Sequence, residues 1–514
     1  MNQFFNYLRE WLAEFWASFV EYFSNWIVYK WTKVPGYFSI YNDLFSQYSP
    51  DFGPGDWILF VLWWIFVAAF VAGLSWLIFF FLRKYIRFNK KELDKEKMAE
   101  QIEQLNTELY NAVQEKNKIL NLKVGQLGIR PDAPKHEEEE DEETKEAENT
   151  LKEVQSRFSR LIQIDNKYSG KDVSIADVSG LTLEELCIRF RNFAASSLGL
   201  YYKISDIRNL FAGMGTSKFL ILEGISGTGK TSLPYALGKF FVNDSTICSV
   251  QPSWRDRTEL VGYFNEFTKK FNETDFLRAV YEATYRKDVN IIILDEMNLA
   301  RIEYYFAEFL SIMEMPNISE WKIQLVSAPD PNDPAHIKDG KLLIPQNLYF
   351  FGTANNDDST FTISDKVYDR AISIIFNERA QAFTTEYQDA MPLPYSQLEQ
   401  LYKDAIINNP IQPSLLSKFS ELDDFCMKNF KLIFGNRIMK QLNIFLPIYV
   451  GCGGTDVDGL DFFFRTKILR KFQSLNIGFL KDELAALIDE LSKLFGKDRF
   501  TMSKEYIADL IKMN

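Results

Sequence analysis

Residues 218–231 read KFLILEGISGTGKT, and no other stretch limits so tightly what this chain can fold into. An apolar strand, Phe219 to Leu222, runs into Gly224-Ile225-Ser226-Gly227-Thr228-Gly229-Lys230-Thr231, and Ser232 to Phe241 can continue as a helix. The pattern is the G-x-x-x-x-G-K-[ST] phosphate loop, in the strand–loop–helix context that loop requires. Glycines let backbone N–H groups turn inward around a β-phosphate, and the helix N-terminus adds positive potential. Gly224, Ser226, Gly227, Thr228, Gly229, Lys230, Thr231 and Ser232 are therefore the candidate nucleotide-binding residues. Lys230 is placed to reach the β- and γ-phosphates, and the Thr231 hydroxyl to bind Mg²⁺. A chain built this way binds a nucleoside triphosphate.

Two further apolar runs end in polar residues. Ile291-Ile292-Ile293-Leu294 leads into Asp295-Glu296, and Asp295 lies 65 residues after Lys230. Asp295 suits the Mg²⁺ shell and Glu296 the polarisation of an attacking water. Leu348-Tyr349-Phe350-Phe351-Gly352-Thr353-Ala354 ends in Asn355-Asn356. Asn355 is expected to orient the lytic water, although either asparagine could simply start a turn. Lys230, Glu296 and Asn355 are thus catalytic candidates, with Thr231 and Asp295 as the metal ligands.

The N-terminal quarter has a different character. Trp57 to Leu82 carries no charge over 26 residues. As a helix it is about 39 Å long against a hydrocarbon core of about 30 Å, so it can span with tilt. Arg83, Lys84, Arg87, Lys90 and Lys91 follow it, whereas Asp51 and Asp56 precede it. The positive-inside rule then puts the larger C-terminal part in the cytoplasm. Residues 1–56 form an aromatic amphipathic segment, with 17 aromatics in the first 50 residues. Phe4, Leu8, Trp11, Phe15, Phe19, Tyr22 and Trp26 fall at helical spacing, interrupted by Arg9, Glu10, Glu14 and Glu21. This predicts a helix on the membrane surface or packed on other membrane helices; a second span remains an alternative. Residues 83–125 are expected to be a basic flank and short coiled coil, from Met98, Ile102, Leu105, Leu109, Ala112 and Ile119, or else a single solvated helix. Residues 126–165, with seven consecutive acids from Glu137 to Glu143, read as an acidic flexible linker.

The formal charge of −12 disfavours a chain that coats nucleic acid, though not a local basic pore. Four dispersed cysteines and two histidines disfavour a disulfide framework or zinc site. The segment from Gln251 to Asn265, with Trp254, Arg255 and Arg257, fits packing between subunits slightly better than nucleic-acid or peptide binding. Trp321 to Lys341 reads as a hairpin insertion. From about 381 to 514 the pattern is helical, for example Leu415–Phe434, Arg437–Tyr449 and Leu480–Phe495.

In this order, the phosphate loop, the Asp-Glu strand and the strand-ending Asn resemble an AAA+ ATPase. The strings QPSWRDRTELVGYFN (251–265), DEMNLARIEYYFAEFLSIME (295–314) and GTANNDDSTFTISDKVYDRA (352–371) are similar to the McrB-like, MoxR-related branch. The resemblance implies an α/β AAA+ P-loop core over 166–380 and an α-helical lid with C-terminal helices over 381–514, which would follow the N-terminal transmembrane helix and short coiled coil read from the apolar pattern. It matches Lys230 and Thr231 to Walker A, Asp295 and Glu296 to Walker B, Asn355 to sensor 1, and Asn298 to the Asn of a D-E-[IM]-N string. Arg370 occupies the region of trans-acting arginine fingers, with Arg301 and Arg379 as rivals. Arg437 is where a nucleotide-binding sensor 2 arginine is expected. The McrB arginine cluster is missing after Arg370, where the chain continues Ile372-Ser373-Ile374-Ile375-Phe376. The resemblance further implies a hexameric ring using ATP or GTP with Mg²⁺, which the apolar span would tether single-pass to a bacterial inner membrane. Its ring would drive a partner effector, such as a nuclease, against phage or foreign DNA. No N-K-x-D guanine reader is present, which favours ATP. The alternatives are a remodelling chaperone acting on a membrane or secreted complex, and a nucleotide-dependent scaffold.

Overall fold

The computed structural model describes residues 2–27, 37–73, 75–77, 79–80, 156–171, 173–355, 360–376 and 378–513. The expected coiled coil, most of the acidic linker and Asn356 lie outside them. The chain divides into two compact units, Met1–Glu137 and Glu138–Asn514.

In the first unit, helices Asn2–Ile27 and Tyr37–Tyr48 accompany a third, Pro54–Leu77. Phe4, Tyr7 and Trp11 are buried and pack with Tyr41, Phe45, Phe60 and Trp63. The Asp56 carboxylate is buried and accepts N–H bonds from Phe4 (3.3 Å) and Gly53 (3.2 Å), pinning the first helix to the start of the third. Helix Pro54–Leu77 is the one described helix long and apolar enough to cross a bilayer. No part of its most apolar window is buried, whereas a soluble core helix would be mostly covered. Phe15 and Phe19, on the aromatic face read from the sequence, are exposed, and Tyr7 is the deeper side chain.

The second unit is built on a five-stranded parallel sheet, β10-β1-β9-β5-β2 in spatial order. The strands are β1 (Phe219–Gly224), β2 (Thr246–Ser249), β5 (Asn290–Asp295), β9 (Leu348–Asn355) and β10 (Ile372–Phe376). β1 is buried along its whole length and β9 in all but its last residue, as expected of central parallel strands covered on both faces. One face packs Leu220, Leu222, Ile291, Ile293, Tyr349 and Phe351 under the helix Ser232–Phe240. The other packs Phe219, Ile221, Ile292, Leu294 and Phe350 under helices Asp275–Ala283, Ile302–Tyr305 and Ala307–Ile312. Two insertions leave this sheet. β3 (Gly262–Asn265) and β4 (Lys270–Glu273) form an antiparallel ribbon whose tip residue, Phe267, is 98% exposed. β6 (Lys322–Gln324), β7 (Ile337–Lys338) and β8 (Lys341–Leu343) form the hairpin insertion expected around 321–341.

The α/β core with helical C-terminal part follows the sequence pattern. Helices Pro413–Phe430, Asn436–Gly451 and Lys481–Phe495 match the periodic stretches, except that the first ends four residues earlier than read. It stops where Lys431 adopts a left-handed conformation (φ 59°).

The linker reading needs correction at its C-terminal end. Residues 156–165 are part of the folded unit, not of a flexible tether. Phe158 is fully buried and stacks on Phe271, and Leu161 and Ile164 join the same core. Arg157 makes a two-point ion pair with Asp333, both contacts 2.8 Å. Short apolar spacing in SRFSRLIQID sufficed to bury one face of the helix Ser159–Tyr168.

Candidate functional site

The parallel register brings the loop, the acids and the sensor asparagine to one end of the sheet. Gly224 at the end of β1 is level with Asn355 on β9 and Phe376 on β10, and Leu294 on β5 is level with Gly352 on β9. Gly224 has φ +133°, and a Cβ there would lie 2.0 Å from the Phe376 carbonyl oxygen. Only glycine lets the chain leave β1 at this angle while touching β10.

Inside the loop, the Lys230 side chain is buried and its Nζ donates to the carbonyls of Gly224 (2.9 Å) and Ile225 (2.8 Å). Thr231 holds the N-cap position of helix Ser232–Phe240, yet its hydroxyl caps nothing in that helix. Instead it donates to Asp295 Oδ1 at 2.7 Å. Diverting a cap costs roughly 1 kcal/mol and leaves first-turn N–H groups for an anion. Thr231 Oγ1 and Asp295 Oδ1 are the hard oxygen donors that Mg²⁺ takes beside phosphate and water. The residues present therefore fit the ion.

Sequence reasoning missed Thr353. Its hydroxyl donates to Asp295 Oδ1 at 2.8 Å and accepts the Glu296 N–H at 2.9 Å. Glu296 is exposed and held in a left-handed conformation, φ 51° and ψ 48°. Such a backbone costs a non-glycine residue of order 1–3 kcal/mol and persists only where neighbours impose it. Thr353 is one of those neighbours. The signal was there to be read: Thr353 lies two residues before Asn355 on β9, hence on the same face.

Asn298 is buried and reaches back to this strand end, its Nδ2 donating to the Asn355 carbonyl at 2.8 Å. Thr360 Oγ1 donates to the same carbonyl at 3.0 Å. A cavity of about 860 Å³ opens beside these strand ends, walled by Glu223, Asn298, Asn355, Tyr368, Arg465 and Arg470. Glu223, the last side chain before the loop, is 1% exposed. Both its oxygens accept from Arg470 Nη1, at 2.7 and 2.8 Å. No sequence spacing announces this pair, whose members are 247 residues apart.

The arginines divide sharply. Arg379 donates through Nε to the Gly227 carbonyl at 3.0 Å, so it contacts its own phosphate loop. Arg301 lies over the Phe361 ring, 5.2 Å from its centre. Arg370 is at the opposite end of the sheet: Ser217, just before β1, donates to its carbonyl at 2.9 Å. From Phe219 to Gly224 a strand advances about 17 Å, so Arg370 is remote from its own loop. Arg437 is not at the loop either, contrary to the nucleotide-binding role expected for it. It pairs with Glu314 at 2.9 Å, beside the Arg370–Glu314 pair at 3.0 Å. The reason lies in the connection after β10. Residues 378–394 run back past Phe240, whose carbonyl accepts the Met391 N–H, to Lys287, whose carbonyl accepts the Tyr395 N–H. The helices that follow therefore start from the far end of the sheet. The arginines from the C-terminal part that do face the loop strand are Arg465 and Arg470.

No protein-family model matches this chain, and no curated protein matches it. Among solved structures it is similar to a protein assigned as an ATPase from Cytophaga hutchinsonii, with 16% identity, 63% of this chain and 85% of that one covered, and a TM-score of 0.34. It is also similar to a full-length MCM homolog from Methanopyrus kandleri, with 10% identity, 58% and 63% covered, and a TM-score of 0.34. Likenesses this distant say nothing of substrate or mechanism.

Proposed function

We propose that this chain is a nucleoside-triphosphate hydrolase of the AAA+ type, working as a homo-oligomeric ring, with ATP as its nucleotide. The observation that carries the reading is the Thr231–Asp295–Thr353–Glu296 network at the mouth of the phosphate loop. A loop that served binding alone would have no use for a strained, exposed acid beside it.

Lys230 exchanges its contacts with the Gly224 and Ile225 carbonyls for phosphate oxygens. Backbone N–H groups of the loop and of the first helical turn hold the β-phosphate. When bound, Mg²⁺ supplies charge neutralisation across the β- and γ-phosphates, with Thr231 and Asp295 as its protein ligands. Glu296 takes a proton from the attacking water, and Asn355 orients that water. Charge developing on the transferred phosphoryl group needs a further cation. Arg370 cannot reach its own loop, so it serves the site of a neighbouring subunit. The ion pairs around it set Arg370 and Arg437 against Glu314, and Lys471 against Asp369.

Helix Pro54–Leu77 supports tethering of the ring to a bacterial inner membrane, with the second unit on the cytoplasmic side. The McrB-like strings favour a defence role, driving a partner effector; the MoxR-like alternative is protein remodelling. Stimulation of turnover by DNA supports the first, and stimulation by a protein partner the second. The deciding experiment for the motor is phosphate release by the full chain in detergent with Mg²⁺. Hydrolysis well above a Glu296→Gln control is expected, and no difference between the two sinks the enzyme reading.

A further inference from the structure

One helical segment of the second unit touches both ends of the machinery. Helix Asp456–Lys467 continues as a 3-10 turn, Leu469–Ser474. Lys467 closes the helix, Arg470 and Lys471 lie in the 3-10 turn, and all three contact residues 368–371. Arg470 holds Glu223, the side chain immediately before the phosphate loop, and its guanidinium lies 3.2 Å from the centre of the Tyr368 ring. Lys467 is 4% exposed and donates to the carbonyls of Tyr368, at 2.8 Å, and of Ala371. Lys471 pairs with Asp369 at 3.1 Å. Gln441 donates to the Asp369 carbonyl at 3.1 Å, and Arg437 shares Glu314 with Arg370. Residues 368–371 are the turn that carries Arg370. The C-terminal helices thus hold this turn at Tyr368, Asp369 and Ala371, through the segment that also grips the loop strand, while Ser217 and Glu314 hold Arg370 itself.

We infer that the Lys467–Arg470–Lys471 cluster is a coupling element: it links each subunit's own phosphate loop to the arginine that subunit offers its neighbour. The inference rests on the trans role of Arg370 proposed above. A shift of Glu223 when the loop closes on a triphosphate pulls on Arg470. Lys467, three residues before Arg470, and Lys471, the residue after it, carry the displacement into the Arg370 turn. Lys467, Arg470 and Lys471 are positioning residues, since none touches the reacting atoms.

The test separates the arginine from the site. Full-length Glu296→Gln chains, unable to hydrolyse but bearing Arg370, are mixed in detergent with Arg370→Ala chains, whose own sites are intact. Phosphate release then reports only sites served by a donor's Arg370. Lys467→Met or Arg470→Met is placed in the donor alone, and Lys493→Met, on an exposed helix face, serves as control. The coupled donors are expected to bind a fluorescent nucleotide and assemble as the parent does, yet to support a rate lower by roughly tenfold or more, part of the 10³–10⁵ that a trans arginine can supply. The Lys493→Met donor keeps the parent rate. Should Arg470→Met fail to fold, Glu223→Gln with Arg470→Met removes both buried charges together. A donor carrying either Arg470 change that assembles and supports the parent rate overturns the coupling. A parent mixture with no hydrolysis overturns the trans-arginine reading itself, and the coupling with it.

Discussion

Replacing Thr353 by valine removes one hydroxyl and keeps the shape of a fully buried side chain. Two contacts disappear: the 2.8 Å donation to Asp295 and the 2.9 Å acceptance from the Glu296 N–H. Leaving a backbone N–H without its partner costs about 1–3 kcal/mol where it is shielded from water. That N–H belongs to the residue in the left-handed conformation, so the lost contact is one that holds Glu296 in place. If the whole cost appears in the transition state, each 1.36 kcal/mol is tenfold in rate, and kcat falls by roughly 5- to 150-fold. Nucleotide KM should change little, because neither Lys230 nor the loop glycines are touched. Thr353→Ser restores the hydroxyl and should recover most of kcat. Steady-state phosphate release across ATP concentrations, with melting temperature as a folding check, measures this directly. A Thr353→Val protein with wild-type kcat would refute the positioning role, as would a loss that Thr353→Ser does not repair.

Three further outcomes follow from particular contacts. Arg437→Ala should leave nucleotide affinity within about twofold in equilibrium binding while lowering turnover, because Arg437 supports Glu314 and Arg370 and is remote from the loop. Burial holds the Lys467 ammonium down at about 7, against an ordinary value of 10.5. Between those two values the unfolded chain binds more protons than the folded one, so this group makes stability rise as pH climbs from about 7 to 10.5. Lys467→Met should flatten that rise in chemical-denaturation midpoints. Finally, a chain starting at 156 should melt well above one starting at 166, because the shorter one exposes the surface that Phe158, Leu161 and Ile164 cover. Each of those side chains contributes about 1.5–3 kcal/mol by burial.

The core of the site was legible because the chemistry is carried by contiguous residues. Three apolar runs ending in Gly224, Asp295 and Asn355 read as strands, and the parallel register brings their ends to the same side of the sheet. Thr353 was within reach of the same alternation. Ser156–Asp165 was lost because its few apolar positions follow a run of acids, so composition outweighed spacing.

By itself, then, the sequence named a phosphate loop, two acids and an asparagine at the ends of apolar runs, and an uncharged stretch of 26 residues, Trp57 to Leu82, long enough to cross a bilayer. Only the tertiary structure decided where each arginine sits. Periodicity states that a helix has a buried face, but not what it is buried against. Arg437 and Arg470 sit on equally plausible helices, and the backward run of residues 378–394 sent the first to Glu314 and the second to Glu223. Charge pairs between elements 247 residues apart leave no trace in local pattern, because they form only after the apolar faces have chosen how to pack.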